Sequence, residues 1–519
     1  MQHSLKFKLP DGYNEKQFLG KLAERYALIK EPAVTARFTI CDTFDWRLFN
    51  KSLVLYASGN RLFLRKLAED EILYSAEIPS FPVFMRDFPD SELKRQLAPI
   101  IKMRALLRLV DVQSRSVPYR ILNPDGKTAA RLAFEEFRPW RRKNKSAMVT
   151  HLWLKPIKGY PKYSRKLARL FQEAGLKISK KEDVFFRSLE AVDKKPGDYS
   201  AKLNIQLDPN MCSDQATKII LCFLLQVMRI NEANIEKDLD TEFLHDFRVA
   251  IRRTRSALGQ IKSVFPIKTT DRFKKDFALV GELSNELRDL DVYLLNEDKY
   301  KAMLPPILRN DIDPLFDHLR KKRSRALQKV IRGLKTKKYA TILKDWEAFL
   351  NKPPRDSVTA SNAKLPVIDL SRNRIYKKYR NVVKVGSQIL ENTEDEMLHV
   401  LRIHCKKLRY LMEFFSCLFP RKKINVLIAQ LKKLQDNLGD FNDLCVQEEY
   451  LLNIITELPA THRQLKTTLV AIGSLVGTLG RERQMVKAAF AQTFTDFSSP
   501  GNKKLFQELF ASKAKKDVS

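Results

Sequence analysis

The stretch HDFRVAIRRTR at residues 245–255 recurs as HVLRIHCKKLR at residues 399–409. Both segments follow the pattern H-x-x-R-x-x-x-[RK]-[RK]-x-R, and the offset between them is 399 − 245 = 154 residues. Apolar residues recur within both segments at three- and four-residue spacing, which indicates an amphipathic helix. The sequence therefore predicts two related helices in the C-terminal part of the chain.

A second pair of motifs keeps the same spacing. The segment RDLDV at residues 288–292 matches NDLCV at residues 442–446, and 442 − 288 is again 154. Two motifs that keep one register without a gap are poorly explained by chance. We therefore predict an internal duplication of the helical region.

The basic residues of each repeated helix form one stripe beside an apolar stripe. At 100° per residue, the basic stripe of the first helix is about 80° wide. Its members are His245, Arg248, Arg252 and Arg255, and their equivalents are His399, Arg402, Lys406 and Arg409. The adjacent apolar residues of the first helix are Leu244, Phe247, Ile251, Leu258 and Phe265. The cations are thus predicted to border the core.

Two interpretations of this basic stripe stay open. Cations in one row repel each other, so the arginines either pair with carboxylates of other helices or line a groove for a polyanion. Candidate carboxylates are Asp289, Asp291 and Asp443. The guanidinium fork suits phosphate oxygens, whereas lysine contributes a point charge. Further candidate residues of such a basic surface are Arg323, Arg380, Lys432 and Lys433.

The composition is strongly basic, with 95 Lys and Arg against 61 Asp and Glu and a formal net charge of +34. This excess destabilises a compact fold by self-repulsion, and it indicates nucleic acid, an anionic membrane or another polyanion as a partner. The six cysteines form no C-x-x-C pair and are predicted to be core residues in a reducing compartment. No signal peptide or membrane-spanning run is evident, so we expect a soluble, cytoplasmic protein without a membrane partner.

The sequence pattern changes along the chain and predicts an α+β protein. Short apolar runs and turn residues, typical of strands, extend to about residue 191, with one helix at 162–174. A linker is predicted at 194–198, and a proline-containing break at 351–372 interrupts the helical region. The expected parts are an N-terminal antiparallel β-barrel or tunnel-like domain at 1–195, an all-α domain at 210–497 with halves at about 214–350 and 372–494, and a polar basic tail at 498–519.

The two motif pairs resemble the CHAD domain (conserved histidine α-helical domain) over roughly residues 214–494. The resemblance implies two duplicated four-helix bundles with a basic groove that binds inorganic polyphosphate. The positions that match the family's motifs, and that the resemblance marks as binding residues, are His245, Arg248, Arg252, Arg253, Arg255, His399, Arg402, Lys406, Lys407 and Arg409.

The N-terminal part is similar to the CYTH domain (adenylate cyclase and thiamine triphosphatase type). The similarity rests on DTFDWRL at 42–48 with LFLR at 62–65, and on residues 152–176 followed by Ser179-Lys180-Lys181. CYTH enzymes form a β-tunnel in which metal ions assist the hydrolysis or cyclisation of triphosphates, and their first strand carries E-x-E-x-K. Here the first strand reads SLKFK at 4–8, without either glutamate, and the later strand THLWLK at 150–155 lacks carboxylates as well.

These missing carboxylates predict a degenerate CYTH-like domain. Hard divalent cations need carboxylate oxygens, and Glu135 and Glu136 alone are too few to hold them. We therefore expect no catalytic residue, no metal site and no cofactor, with some anion affinity kept through Arg65.

The leading hypothesis is a non-catalytic protein whose partner is inorganic polyphosphate and which associates with polyphosphate granules. The alternative is a metal-dependent inorganic triphosphatase of the CYTH type. Nucleic-acid binding ranks third, because the sequence carries no helix-turn-helix, zinc-finger or aromatic-platform signature.

Overall fold

The computed structural model describes residues 5–9, 13–69, 71–139, 149–178, 183–353, 360–391, 394–458 and 465–511. The chain divides into two compact units, Met1–Ser200 and Ala201–Ser519. The first unit contains a β-sheet with four helices, and the second is helical, so the α+β class is confirmed.

The N-terminal unit is built on one antiparallel sheet of ten strands. Nine of them follow each other in the order β10-β1-β9-β8-β7-β3-β4-β5-β6, and β2 pairs with β7. The strands are β1 (Leu5–Lys8), β2 (Ala27–Lys30), β3 (Val34–Thr43), β4 (Leu53–Ser58), β5 (Arg61–Lys66), β6 (Ile72–Glu77), β7 (Leu106–Leu122), β8 (Thr128–Pro139), β9 (Val149–Pro156) and β10 (Lys177–Ile178).

The sheet is open, which corrects the expectation of a closed barrel. Among the described residues, β10 and β6 end the path of nine strands and pair only with β1 and β5, and β2 pairs only with β7. Closure into a barrel requires ladder hydrogen bonds around the whole circumference.

Four helices cover both faces of this sheet. They are α1 (Glu15–Ala23), α2 (Glu92–Ile101), α3 (Pro161–Glu173) and α4 (Asp183–Glu190), and α3 confirms the helix predicted at 162–174. The helices α1, α2 and α3 pack on one face, where Phe7 and Leu152 are fully buried. The helix α4 packs on the opposite face, where Phe185 contacts the cluster around Ile40 and Val112.

The helical unit repeats its helices with the predicted offset. The first half contains α5 (Ser213–Ile235), α6 (Glu242–Gln260), α7 (Ile267–Glu282), α8 (Asn285–Leu295), α9 (Glu297–Met303), α10 (Asp313–Leu334) and α11 (Lys337–Asn351). The second half contains α12 (Val367–Glu391), α13 (Asp395–Phe414), α14 (Arg421–Ile454), α15 (Leu465–Ala488), α16 (Phe490–Phe497) and α17 (Pro500–Phe510). The start of α12 lies 367 − 213 = 154 residues after that of α5, and the start of α14 lies 421 − 267 = 154 after that of α7.

Equivalent backbone segments of the two halves meet at the start of α5 and α12. Cys212 and its equivalent Pro366 form an antiparallel bridge. The Ser213 hydroxyl also donates to the Leu365 carbonyl at 2.7 Å. This contact of a residue with its own repeat indicates that the halves are related by an approximate twofold axis.

The halves differ in one helix and in the C-terminal segment. Where the second half has the continuous α14, the first half is interrupted at Leu283 and Ser284, between α7 and α8. The segment expected to begin a polar basic tail at 498–519 instead forms α17. Its apolar residues recur at helical spacing, and Phe506 stacks on Tyr379 of α12 with ring centroids 3.8 Å apart. Residues 500–510 of this segment are therefore helical, while residues 512–519 lie outside the described part of the chain.

Candidate functional site

The two repeated helices α6 and α13 pack against each other. The predicted apolar stripes face the interior: Phe247 and Ile251 are buried on α6, as are Leu401 and Cys405 on α13. The basic stripe beside them is half-buried at Arg248, Arg402 and Lys406 and exposed at Arg252. The helical geometry predicted from the sequence is thus the one observed, and two rows of cations meet between the halves. We use the name groove for the cluster of five cations formed by Arg248, Arg252, Arg288, Arg402 and Lys406.

Arg248 is held by the interruption between α7 and α8. Its guanidinium donates to the Ser284 hydroxyl and to the Asn285 side-chain carbonyl, both at 2.9 Å, and more weakly to the Gly281 carbonyl at 3.3 Å. Burial and the nearby charge of Arg252 lower the pKa of Arg248 to about 10, while Asp289 acts in the opposite direction. The interrupted helix thus orients a partly desolvated cation towards the groove.

The second half orients its cations with polar residues of the continuous α14. Arg402 donates to the Asp443 carboxylate at 3.1 Å, and the His399 ring nitrogen Nδ1 lies 2.8 Å from the Asn442 side-chain oxygen. Burial lowers the pKa of Arg402, and the charge of Arg252 lowers it further, against the attraction of Asp443. The second motif therefore anchors the stripe residues of the second half, whereas Arg248 is anchored by residues that precede the second motif of the first half.

Lys406 is the one lysine among the five residues that define the groove, and its pKa is strongly lowered. Burial and the neighbouring charges of Arg402 and Arg252 lower its pKa to about 8, although Asp443 acts to raise it. Arg252, its equivalent in the first half, therefore influences cations of both halves. Because these cations lower the pKa of their neighbours, keeping all of them protonated in the groove costs electrostatic free energy.

Arg288 belongs to the groove as well, although in the sequence it is evident only as part of the second motif. It lies on α8, where burial and the charge of Arg252 lower its pKa, and Glu242 and Asp291 act to raise it. Its Nη1 atom is buried without a hydrogen-bond partner. Nothing in the α6 pattern could have revealed Arg288, because it reaches the groove from another helix.

The carboxylates named as alternative partners are used in three different ways. Asp443 pairs with Arg402, as the alternative interpretation expected. Asp291 is 1 % exposed and pairs with Arg323, outside the basic stripe. Burial raises the pKa of Asp289, and Arg248 and Arg288 act to lower it. Four carboxylates, Glu242, Asp289, Asp291 and Asp443, thus act on the five cations, and Asp291 is shared with Arg323, so positive charge stays in excess.

Residues 219–452 match the family model of the CHAD domain. This segment is a CHAD domain. The match includes both repeated helices and both second motifs, so the resemblance predicted from those motifs is confirmed. All five groove residues lie within the matched segment.

Curated relatives of the chain carry no assigned function in their names. The uncharacterized proteins Rv2226 and MT2285 of two Mycobacterium tuberculosis strains are each 25% identical to this chain over 215 residues. The aligned part covers 40% of this chain and 40% of each relative, so the chain spans about 40% of the length of the curated relatives it matches.

Two solved structures are similar to the chain. The CHAD domain from the plant Ricinus communis is 23% identical, with a TM-score of 0.48 and coverage of 57% of this chain and 96% of that chain. PptA from Streptomyces chartreusis is 14% identical, with a TM-score of 0.44 and coverage of 55% and 99%.

Three predicted binding residues of the CHAD domain are tied to carboxylates outside the groove. Arg253 donates to Glu413 at 2.8 Å and to the Ala201 carbonyl at 3.0 Å, and Arg409 lies 3.4 Å from the same Glu413. Arg323 makes a two-pronged contact with Asp238 in addition to its bond to Asp291. Arg253 and Arg323 thereby connect separate segments of the helical unit, whereas the contact of Arg409 with Glu413 lies within α13.

The remaining candidates lie apart from the five groove cations or on exposed helix surfaces. Lys407 lies beside Lys378 on α12, whose pKa is lowered by burial, by Lys407 and by Lys262. His245 is half-buried on α6. The exposed candidates are Arg255, Arg380, Lys432 and Lys433.

Tyrosines also hold the two halves together. The ring of Tyr293 on α8 stacks on that of Tyr450 on α14, with centroids 4.4 Å apart. Burial raises the pKa of both tyrosines, so their hydroxyls remain protonated at neutral pH. This stack lies close to the groove carboxylates, because Asp289 influences both hydroxyls.

In the N-terminal unit, the carboxylates considered for a metal site are engaged in other contacts or too few. Glu136 pairs with Arg138 at 3.4 Å, and Glu135 lies in register with His151 on β9. Among the described residues of the whole chain, no group of three or more His, Cys, Asp or Glu side chains is arranged to hold a metal ion. The Ser179-Lys180-Lys181 segment lies outside the described residues.

Proposed function

We propose that the CHAD domain binds inorganic polyphosphate in the groove between α6 and α13, without catalysis at that site. The observation that carries the proposal is the position of Arg252. Its charge depresses the pKa of Arg248 and Arg288 in its own half and of Arg402 and Lys406 in the other. One cation therefore links both repeats into a single site.

An anion in the groove would lower the free-energy cost of keeping these cations close together. Partly buried cations lose hydration and repel each other, and both costs fall when phosphate oxygens lie between them. The four arginines offer planar donor forks, and Arg288 has a buried donor atom without a partner. A linear polyanion suits the groove because the cations come from three helices, α6, α8 and α13, and follow the junction between the halves. The family resemblance supports polyphosphate as that polyanion.

The test is a binding titration with polyphosphate at fixed ionic strength. The Arg252→Ala/Lys406→Ala variant should bind at least ~100-fold more weakly, since each lost charge-assisted contact contributes about 1.5–3 kcal/mol. The matched control is Arg421→Ala/Lys422→Ala, which removes the same two charge types from the exposed first turn of α14. Tight binding by the groove variant, or an equal loss in the control, would contradict the groove assignment.

The triphosphatase alternative is tested by phosphate release from inorganic triphosphate with magnesium or manganese. We expect no turnover, because no group of three or more His, Cys, Asp or Glu side chains in the described part of the chain is arranged to hold the metal ion that this reaction needs. Clear turnover would reverse this proposal. Competition between polyphosphate and DNA tests the nucleic-acid alternative, and polyphosphate should displace DNA.

We further propose that the protein associates with polyphosphate granules. No helix among the described residues combines the length and apolar character needed to cross a lipid bilayer. A fluorescent fusion should localise to polyphosphate granules, and the Arg252→Ala/Lys406→Ala variant should not. Equal localisation of both proteins would show that the groove does not direct it.

A further inference from the structure

A second group of basic residues lies in the helical unit, apart from the five groove cations. Arg374 and Lys378 are four positions apart on α12, and His404 and Lys407 are three positions apart on α13. Residues at these spacings share one face of a helix, and α12 packs against α13. Lys262, two residues after the end of α6, completes the group. We call these five residues the second cluster.

Hydrogen bonds hold Lys262 beside α12. Its carbonyl accepts from the Arg374 guanidinium at 3.1 Å and from the Asn362 side-chain amide at 2.9 Å. Asn362 also donates its backbone N–H to the Ser263 carbonyl at 2.8 Å. The end of α6 is thus fixed against the segment that leads into α12, so the approach of Lys262 to the cations of α12 is part of the fold.

The charges that act within the second cluster are all positive. Burial lowers the pKa of Lys378, and Lys407, Lys262 and Lys377 lower it further. Burial also lowers the pKa of His404, and Lys378 and Lys407 act in the same direction. Within the described ranges of the chain, no carboxylate pairs with Lys262, Lys378 or Lys407. Repulsion between these cations therefore has no counterpart among those residues.

The groove differs from the second cluster in this respect. There Asp443 pairs with Arg402, and Asp289 acts on Arg248. Lys378 and Lys407 of the second cluster are half-buried as well, yet no such carboxylate offsets their repulsion in the described part of the chain. An anion taken up from solution would lower this cost.

The side chains of the second cluster indicate the class of anion. Lys262, Lys378 and Lys407 belong to three different segments, and each ammonium group is a compact point charge with several donors. A single carboxylate brings one charge and would leave most of the repulsion in place. A phosphate monoester carries about 1.5–2 negative charges at pH 7 together with several acceptor oxygens, and linked phosphates carry more. The cluster thus favours a compact, multiply charged phosphate.

We propose that the second cluster is a separate binding site for a short phosphoanhydride such as pyrophosphate. The ammonium groups of Lys262, Lys378 and Lys407 pair with its oxygens. Lys406 and Lys407 are adjacent, but successive helical residues point about 100° apart, so the groove and the second cluster leave α13 in different directions. The site is additional to the polyphosphate groove and does not depend on its function.

The imidazole ring of His404 is the reporter for this site. Its chemical shift is followed against pH by NMR of the full chain with labelled histidine, and His404→Gln identifies the signal. Pyrophosphate should raise the pKa of His404 by at least ~1, because the bound anion favours the charged ring and offsets the repulsion by Lys378 and Lys407. An unchanged titration curve at millimolar pyrophosphate would overturn the proposal.

Lys378→Met/Lys407→Met removes two charges of the second cluster and keeps the apolar stems of the side chains. Pyrophosphate, followed through the His404 signal, should then bind at least ~10-fold more weakly. Lys503→Met/Lys504→Met removes the same two charges from exposed positions of α17 and should leave the affinity unchanged. Unchanged affinity in the cluster variant, or an equal loss in the control, would contradict the assignment of the site.

Urea unfolding separates a binding role of these lysines from a structural one. Because Lys378 and Lys407 repel each other and pair with no described carboxylate, Lys378→Met/Lys407→Met should not lower the free energy of unfolding. A marked loss of stability would show that the two lysines hold the fold together, and it would overturn the proposal.

The Arg252→Ala/Lys406→Ala variant distinguishes the second cluster from the groove. It should keep the response of His404 to pyrophosphate even where it no longer binds polyphosphate, so each proposal can fail without the other. A response of His404 to long polyphosphate but not to pyrophosphate would make the second cluster an extension of the groove. That result, or a lost pyrophosphate response in the groove variant, would disprove a separate site.

Discussion

Arg252 and Arg253 are adjacent in the chain but have different environments. Successive helical residues point about 100° apart, so the two side chains leave α6 in different directions. Arg252 extends into the groove and influences four other cations, whereas Arg253 pairs with Glu413 of α13. Their equivalents, Lys406 and Lys407, separate in the same way, because Lys407 lies beside Lys378. The repeated motif predicts that all four are basic, and the fold places Arg252 and Lys406, but neither Arg253 nor Lys407, in the groove.

Lys406 gives polyphosphate binding a predicted pH dependence. Its pKa falls from 10.5 in the unfolded chain to about 8 in the fold. Since the unfolded chain holds more protons between these values, the free energy of unfolding should rise with pH across that window. Bound polyphosphate favours protonated Lys406, so affinity should decrease as the pH rises through about 8. Titrations at pH 7, 8 and 9.5 measure this decrease.

Lys406→Arg is the matched control for this pH dependence. Arginine keeps its charge throughout this range, so the variant should bind with an affinity that changes less between pH 7 and 9.5. An identical pH profile for both proteins would contradict the role of Lys406.

At the scale of elements, most helices of the two halves begin at equivalent positions. The halves differ at α14, whose counterpart in the first half is interrupted beside Arg248. The uninterrupted α14 presents Asn442 and Asp443 to His399 and Arg402. Its counterpart stops at Leu283, and this interruption exposes the carbonyl of Gly281 and the side chain of Ser284 to Arg248. Two different helix geometries thus orient equivalent arginines.

The contact between α12 and α16 depends on a glycine. A Cβ atom built on Gly386 would lie 1.9 Å from Cε2 of the buried Phe494. Gly386→Ala should therefore lower the free energy of unfolding by about 1–3 kcal/mol through overpacking. Urea unfolding measures this change.

Gly473→Ala is the control for the α12–α16 contact. Gly473 lies exposed within α15, and a Cβ atom there would meet nothing within 4 Å. This substitution should raise the free energy of unfolding by about 0.5–1 kcal/mol through helix propensity. Similar effects of the two substitutions would disprove the close approach at Gly386.

At the scale of the whole molecule, the contribution of the net charge of +34 to polyanion binding must be distinguished from the contribution of the groove. Cations that contact a polyanion release counterions, so each contact removed should lower the salt slope of log affinity by about one. Arg252→Ala/Lys406→Ala should lower that slope by about two. Titrations with polyphosphate from 50 to 200 mM salt, taken as approximate limits, measure the slope.

The exposed pair Arg421 and Lys422 provides the comparison for this slope. Arg421→Ala/Lys422→Ala changes the net charge by the same amount and should leave the slope almost unchanged. Equal decreases in both variants would mean that the overall charge, and not the groove, binds the polyanion.

Local patterns predicted much of this protein. Helical periodicity and the 154-residue offset depend on residues close in sequence or on a repeated register, so they predicted the helices, the duplication and the stripe of α6. Strand-like alternation predicted the N-terminal sheet, although not its open edges, which depend on how distant strands pair. The apolar residues of α17 recur at helical spacing in the sequence, but the basic residues of the same segment favoured the prediction of a polar tail.

The sequence by itself determined an α+β chain with two repeated basic helices and a large positive charge. Only the tertiary structure decided which cations share the groove, because burial and ion pairing depend on residues far apart in the chain. Glu413 holds Arg253 across 160 residues, and Arg288 reaches the groove from a different helix than Arg252. The environment of Lys6 also depends on the tertiary structure, because α4 packs over the sheet and this strand lysine lines a cavity between them.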